Sequence, residues 1–278
     1  MLQSIDKILV YGIINAMTKQ NIFFRKYCPF LALFLFNLLL PNPVSAGAPF
    51  LTDDPETLDY KHQEVYLFST VDKTSDSETI QGPAVEYNYG ALPNLELHVM
   101  APLEYYSPPQ DDLSHYGIGD MEVGAKYRFI TETDDRPQVG IFPALELPTG
   151  DTDRGLGSGR TWYKLPLWIQ KSWGDWTIDG GGGYALNDSP GTRNYGFGGL
   201  SIQRKFSEHL SLGGEIFAQE ASDVGERGFT LFNVGGTYNF TTNFSLLFSV
   251  GHSFTGQNNA VAYLGLYWTW GPKSIKFK

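Results

Sequence analysis

The sequence predicts an all-β protein: a single closed, antiparallel transmembrane β-barrel of about twelve strands. Three observations lead to this prediction. An export signal precedes a chain that has no further long apolar run, apolar and polar residues alternate with a period of two, and the connections between strands alternate in length. Short periplasmic turns on one rim and longer extracellular loops on the other are typical of such barrels.

Residues 1–46 have the features of a secretory signal peptide. The apolar run at 30–40 follows two basic residues and precedes small residues at 44–46, where signal peptidase cleaves. The run is too short to cross a bilayer, which takes about 20 residues. Met17 offers a second start that would give a signal of ordinary length, so translation is expected to begin either there or at Met1.

Export leaves an acidic chain without cysteine. The signal holds four of the 20 basic residues, one of the 30 acidic ones and the only cysteine, Cys28, so 16 basic and 29 acidic residues remain. Disulfides, thiolate metal sites and a cysteine nucleophile are therefore excluded from the mature chain. The acidity argues against a nucleic-acid partner, because phosphates require a basic surface.

Residues 47–60 lack strand periodicity and are rich in proline and carboxylates. Two interpretations remain open, a periplasmic tail and a plug in the barrel lumen. In the plug, Phe50 and Leu51 would enter the lumen while the carboxylates meet Lys126, Arg128, Lys164 or Lys205. The barrel itself is predicted over 61–270, and 271–278 form a C-terminal tail.

Twelve segments of strand length follow one another through the barrel region. Each is about 9–12 residues long, as a tilted membrane-spanning strand requires. They are predicted near 61–71, 80–90, 95–105, 119–131, 137–148, 162–172, 176–187, 195–206, 209–219, 229–240, 244–254 and 260–270. The turns after even strands are tight, whereas the loops after odd strands, such as 149–161, are predicted to be longer.

Each strand has one apolar face and one polar face. In the segment 95–105, Leu95, Leu97 and Val99 alternate with Glu96 and His98. The apolar faces of strands two to twelve carry only two charged residues, Lys171 and Arg204, both beside short turns, where long basic side chains can reach lipid headgroups. A soluble barrel or sandwich is the alternative, but its packed core could not hold the charges of the polar faces.

These polar faces are therefore predicted to line a hydrated lumen and to set its ion selectivity. The lumen and selectivity residues are Glu86, Glu96, Glu104, Asp120, Glu122, Lys126, Arg128, Glu146, Lys164, Asp179 and Glu215. With Glu64 and Lys205 added, nine acids face four bases, an excess that should favour cations. Phe142, Trp162 and Trp168 are placed inward as possible stacking surfaces for a solute.

Several passages resemble a known family. They include 50–56 (FLTDDPE), 146–151 (ELPTGD), 164–168 (KLPLW) and 170–174 (QKSWG), and the likeness extends over nearly all of the mature chain. Together they resemble the transporter family labelled for the meta-pathway of phenol degradation. The resemblance implies an outer-membrane β-barrel and, by its label, passage of small aromatic compounds; it implies no catalytic or binding residues.

Enzymatic readings find little support in the sequence. The glycine-rich stretch 149–160 lacks a phosphate-loop ending and a following helix, so a flexible external loop is expected. An outer-membrane esterase or lipase would need Ser and His on one face, yet His252 and Ser253 are adjacent and so point to opposite faces of a strand. No catalytic residue, metal site or cofactor is predicted.

The expected function is passive uptake of small, weakly polar solutes, including aromatic, phenol-like ones, across the bacterial outer membrane. A structural or surface-exposed barrel with a closed lumen is the alternative. The expected partners are outer-membrane lipids, small-molecule solutes and the barrel-assembly machinery, although Lys278 after Phe277 departs from the aromatic end typical of assembly signals.

Overall fold

Fourteen β-segments of the described residues form one sheet that closes on itself. The structure, a computed structural model, describes residues 48–75, 77–108 and 113–272, so the predicted signal peptide and most of the C-terminal tail lie outside the described residues. The strands are β1 Gln63–Thr74, β2 Glu78–Leu92, β3 Leu95–Ser107, β4 His115–Ile118, β5 Met121–Ile130, β6 Gln138–Ile141, β7 Ala144–Leu147, β8 Trp162–Trp173, β9 Trp176–Leu186, β10 Tyr195–Lys205, β11 Leu210–Gln219, β12 Phe229–Thr241, β13 Phe244–Gly256 and β14 Asn259–Trp270.

Every pairing in the sheet is antiparallel, and β1 pairs with β14 to close the barrel. Both β4 and β5 pair with β3, and both β6 and β7 lie between β5 and β8. Each of these two pairs occupies one position in the wall. The predicted closed barrel of twelve strands is therefore confirmed, with two of the twelve interrupted.

A local irregularity accompanies each interruption. Between β6 and β7 stands Pro143, which has no N–H for the ladder, and its carbonyl instead accepts a hydrogen bond from the Ala125 N–H at 3.1 Å. Between β4 and β5 the strand breaks at Gly119 and Asp120, where the Gly119 N–H still reaches the Pro102 carbonyl at 3.1 Å.

The two rims differ in the length of most connections, as predicted, with three exceptions. One is 131–137 on the short-turn rim, which has seven residues. The short-turn rim has connections such as 93–94, 174–175 and 242–243, and the long-loop rim includes 148–161 and 187–194. Two predicted long loops, at 72–79 and 255–259, are instead tight, because the strand ladders continue to within a few residues of the turn.

The outer surface of the barrel is apolar. Side chains that alternate along the strands, including Leu97, Leu165, Leu200 and Val250, are 47–60% exposed and point away from the lumen. Outward aromatic residues cluster at the short-turn rim, where Phe240, Phe244 and Trp268 stack with ring centroids 5.1 and 4.6 Å apart. No helix among the described residues has the length and apolar character to cross a membrane.

Candidate functional site

The lumen of the barrel holds the charged groups, which join into a chain across neighbouring strands. Lys164 on β8 donates to Glu122 on β5 at 2.6 Å and to Glu146 on β7 at 2.8 Å. The other oxygen of Glu122 lies 3.2 Å from Nε2 of His98 on β3. One lysine thus bridges two carboxylates, and a histidine continues the chain on the far side of Glu122.

This series of side-chain contacts continues from His98 to β1 and β2. His98 Nδ1 lies 2.7 Å from Oδ1 of Asn88 and 3.6 Å from Glu86. The amide nitrogen of Asn88 donates to both Glu64 and Glu86 at 2.8 Å. We call this set the charged wall; it runs from β1 to β8 and comprises Glu64, Glu86, Asn88, His98, Glu122, Glu146 and Lys164.

The remaining predicted lumen residues also lie on the inward face, mostly with partners. Arg128 donates to the side chains of Asn94 and Gln138. Asp179 accepts from Ser201 at 2.9 Å, and Gln81 lies 3.5 Å from Glu104. Three more of the set, namely Glu96, Lys126 and Glu215, contact the segment before β1.

Asp120 has a different environment from the other acids. Its carboxylate accepts hydrogen bonds from the Gly150 N–H at 2.9 Å and from both the N–H and the hydroxyl of Ser158 at 2.7 Å. The loop 148–161, which the sequence predicts to be flexible, is folded back onto the barrel by these bonds, and its Leu156 is fully buried. Asp120 therefore holds a loop in place, and its oxygens are not free to meet an ion.

Aromatic side chains cover the inward face of β8, β10 and β11. Phe197 stands at the centre of this set, with its ring centroid 6.3–6.4 Å from those of Trp168, Tyr195 and Phe217, and Trp162 lies 6.5 Å from Tyr195. We call these five residues the aromatic ladder. It begins at the long-loop end of β8 and β10 and reaches the middle of the barrel.

The three predicted stacking residues are placed differently from one another. Trp162 belongs to the ladder and lies under the ammonium of Lys164, which is 4.9 Å from the ring centroid. Trp168 also belongs to it but is only 2% exposed, so little of its ring is accessible. Phe142 packs edge-on against His98 at 5.2 Å, beside the charged wall. Their role in solute stacking stays a prediction.

The segment that precedes β1 lies against the inner wall of the barrel. Glu215 on β11 accepts the N–H groups of Leu51 and Thr52 at 2.8 and 2.7 Å, and Glu96 on β3 accepts that of Leu58 at 2.8 Å. Asp53 pairs with Lys126 at 3.1 Å. The segment 49–58 is thus fixed at points on both sides of the lumen.

Glycines make room for this segment at the wall. A Cβ at Gly90 would collide with the carbonyl oxygen of Asp59, and one at Gly199 would collide with the hydroxyl of Thr52. Because an inward side chain at either position would occupy the space of the segment, these glycines permit its close approach. Phe50 is 8% exposed and Asp54 is 2% exposed in this position.

Burial changes the acidity of two carboxyl groups in this segment. It raises the pKa of Glu56 to about 7, although Arg128 and Lys126 oppose the shift. Burial likewise raises the pKa of Asp54 well above its ordinary value, against the opposing charge of Lys126. Both carboxyls are therefore easier to hold in the lumen when protonated.

A cavity of about 720 Å³ lies at the long-loop ends of β10, β11 and β12. Phe197 of the aromatic ladder contributes to its lining, together with Gln219, Phe229 and the charged residues Arg193 and Glu220. The cavity thus adjoins one member of the ladder and carries both apolar and charged groups.

Sequence reasoning missed Tyr195, Phe197 and Phe217 as parts of the site. Tyr195 and Phe197 alternate with glycines, so β10 shows no clear apolar face in this stretch. Their odd numbers nevertheless put both residues on the same face as Ser201. His252 is exposed on the outer face, and no described serine hydroxyl is hydrogen-bonded to a histidine ring.

Comparison with family models shows where the chain belongs. Residues 46–269 match the model described as "Putative MetA-pathway of phenol degradation". The chain is a member of this family. The resemblance recognised in the sequence is therefore confirmed. No match was found among the curated proteins.

Solved structures with a similar fold are outer-membrane barrels. The COG4313 outer membrane channel from Pseudomonas putida F1 aligns with a TM-score of 0.64 and 17% identity, over 78% of this chain and 98% of that one. The translocator domain of the autotransporter NalP from Neisseria meningitidis aligns with a TM-score of 0.51 and 11% identity, over 76% and 89%. At these identities the likeness supports the barrel fold.

Proposed function

We propose that the protein is an outer-membrane channel for passive uptake of small, weakly polar solutes, with phenol-like aromatic compounds as the class that fits best. The observation that carries this proposal is the aromatic ladder inside a closed barrel, on the wall of the lumen beside the charged wall. Membership of a family described by phenol degradation supports the same solute class. The apolar exterior supports a place in a membrane.

The lumen offers a solute two kinds of contact. An aromatic solute can stack on Trp162 and Phe197, the two members of the ladder that are not buried, where a ring contact contributes about 0.5–1.5 kcal/mol. A hydroxyl group of the solute can form hydrogen bonds with the polar groups that line the same lumen. The excess of inward acids should repel free carboxylates, so neutral phenols fit this lumen better than benzoates.

Bilayer recordings test this proposal through Phe197, the member of the ladder that contacts three others. Phenol that occupies the lumen should reduce the ion current of the reconstituted protein. Phe197→Leu should require a phenol concentration about two- to tenfold higher for the same block, since one ring contact is lost. Phe232→Leu is the matched control, because Phe232 is 52% exposed on the outer face.

Equal phenol block in both variants and the original protein would contradict the aromatic pathway. Reversal potentials in a salt gradient test the charge of the lumen in the same recordings. Cation preference is expected from the excess of acids, and anion selectivity would contradict it.

The segment 49–58 favours a second possibility, a barrel whose lumen is closed by its own N-terminal residues. Its hydrogen bonds to Glu215 and Glu96 lie on opposite parts of the wall. Deletion of residues 47–59 should raise single-channel conductance if the segment narrows the passage. An unchanged conductance would remove the plug hypothesis, and no conductance in either form would favour the non-transporting barrel.

A further inference from the structure

Three basic side chains point outward from the described strands, and only one of them lacks an acidic partner. Lys73 on β1 pairs with Glu78 at 2.6 Å, and Lys171 on β8 pairs with Glu132 at 3.1 Å. The guanidinium of Arg204, near the end of β10, makes no ion pair or hydrogen bond with any residue that the structure describes. Its five N–H donors are therefore available to a partner outside the protein.

Two aromatic rings hold this guanidinium at the short-turn rim. The Arg204 Cζ lies 5.2 Å from the ring centroid of Trp176 and 5.1 Å from that of Phe206. Trp176 is the partner of Arg204 in the neighbouring strand β9, and both rings are on the outer surface, 43% and 57% exposed. Cation–π contacts of this kind restrict the orientation of a planar guanidinium.

We propose that Arg204, with Trp176 and Phe206, binds the phosphodiester of a phospholipid on the outside of the barrel. A guanidinium near the lipid headgroups can pair with their phosphate oxygens, and such charge-assisted hydrogen bonds are stronger than those between neutral groups. Its planar fork matches two phosphate oxygens, and the rings beside it can pack on the acyl chains below the headgroup. Lys171, two strands away on β8, is already neutralised by Glu132 and does not compete for the phosphate.

The orientation of the barrel selects which leaflet supplies the lipid. The short turns of outer-membrane barrels face the periplasm, and the leaflet on that side consists of phospholipids. This step rests on the outer-membrane location proposed above. The lipid site does not depend on whether the lumen conducts, so failure of the conductance tests and failure of the lipid test are distinguishable.

Native mass spectrometry of the folded protein, released from detergent with added phosphatidylglycerol, tests the site. Arg204→Gln should lower the retention of phosphatidylglycerol about fivefold, as expected for one basic residue at a membrane surface. Lys73→Gln, which removes an outward cation that already has a partner, should leave retention unchanged. Diacylglycerol, which has the same chains without the phosphate, should be retained equally by all variants.

Further variants and a competition experiment complete the test. Arg204→Leu serves if Arg204→Gln does not fold, because leucine suits the lipid-facing surface, and heat-dependent gel mobility verifies the barrel in each case. Arg204→Lys should give intermediate retention, since it keeps the charge without the planar fork. Equal retention by Arg204→Gln and the original protein would overturn the proposal. Displacement of phosphatidylglycerol by excess inorganic phosphate would also overturn it, because the site would then recognise phosphate without the lipid.

Discussion

The barrel holds the carboxyl group of Glu56 in its lumen, where burial disfavours the charged form. Burial raises its pKa to about 7 from an ordinary 4.5, and Lys126 and Arg128 only partly offset this, while Asp179 and Glu132 add to it. The docked segment therefore binds a proton that the free segment would release. Between about pH 4.5 and 7, docking should weaken as the pH rises, because docking requires the carboxyl to take up a proton.

This acidity predicts a pH-dependent conductance. If the segment 49–58 narrows the passage, the conductance of the original protein should be lower at pH 5 than at pH 8. Glu56→Gln removes the titration of this group, so the difference should become smaller, while the titration of Asp54 remains. Glu226→Gln, at an exposed loop acid, is the control. A pH dependence that is equal in Glu56→Gln and the control would show that another group is responsible.

The contacts of single residues show which parts of the site the sequence could predict and which it could not. The alternation of side chains places Glu122, Glu146 and Lys164 inward, and the structure brings these three together. The alternation of side chains predicts the face on which a residue lies. It does not predict which residue, distant in the sequence, becomes its partner. The hydrogen bonds that Asp120 accepts from Ser158 and Glu215 accepts from Thr52 span 38 and 163 residues, so they depend on the tertiary fold.

Individual strands were predicted closely where their periodicity was unbroken. β8, β9 and β10 end within one residue of their predicted bounds. The interruption at Pro143 was not predicted, because the break preserves the alternation on both sides. β4 was not predicted either: it lies between the predicted strands 95–105 and 119–131, and its inward positions are odd-numbered whereas those of β5 are even-numbered. The segment 49–58 has no periodicity at all, and its position depends entirely on contacts with distant strands.

The loop between β7 and β8 gives a prediction at the scale of an element. Asp120→Asn weakens the acceptor for three hydrogen bonds from Gly150 and Ser158, and bonds to a charged group contribute about 1.5–3 kcal/mol. The loop should open more often, so trypsin should cut at Arg154 or Arg160 about tenfold faster. Limited proteolysis of the folded protein measures this rate.

The matched control for the loop is Asp153→Asn, which changes an exposed acid in the same loop. It should leave the rate of cleavage unchanged, since its carboxylate has no hydrogen bond or ion pair with the described residues. Equal cleavage of both variants would mean that Asp120 does not hold the loop.

At the scale of the whole molecule, the distribution of polarity is the reverse of that in a water-soluble β-protein. Apolar side chains such as Leu200 are exposed on the outside, whereas carboxylates such as Asp179 and Glu215 are buried inside. Composition alone does not distinguish the two cases, because the total number of apolar residues is ordinary. The alternation distinguishes the two cases only when it is known which face of the strands points inward. The charged residues identify the inward face, because they line the lumen of a membrane barrel.

This arrangement predicts where a new charge should destabilise the barrel. Leu200 lies at the middle of β10 and is 59% exposed, whereas Leu113, in the loop between β3 and β4, is 84% exposed. In a bilayer, Leu200→Arg should lower the free energy of unfolding by about 2–4 kcal/mol, as arginine does near the midplane of a membrane barrel. Leu113→Arg should change it by less than about 0.5 kcal/mol, since a loop residue meets water.

Urea unfolding of the protein in lipid vesicles measures both changes. In a water-soluble barrel, the two substitutions would have similarly small effects, because both side chains are exposed. A large effect confined to Leu200→Arg therefore requires lipid, not water, around the middle of the barrel. Equal effects would contradict a membrane-embedded exterior, and the channel proposed above would lose its physical basis.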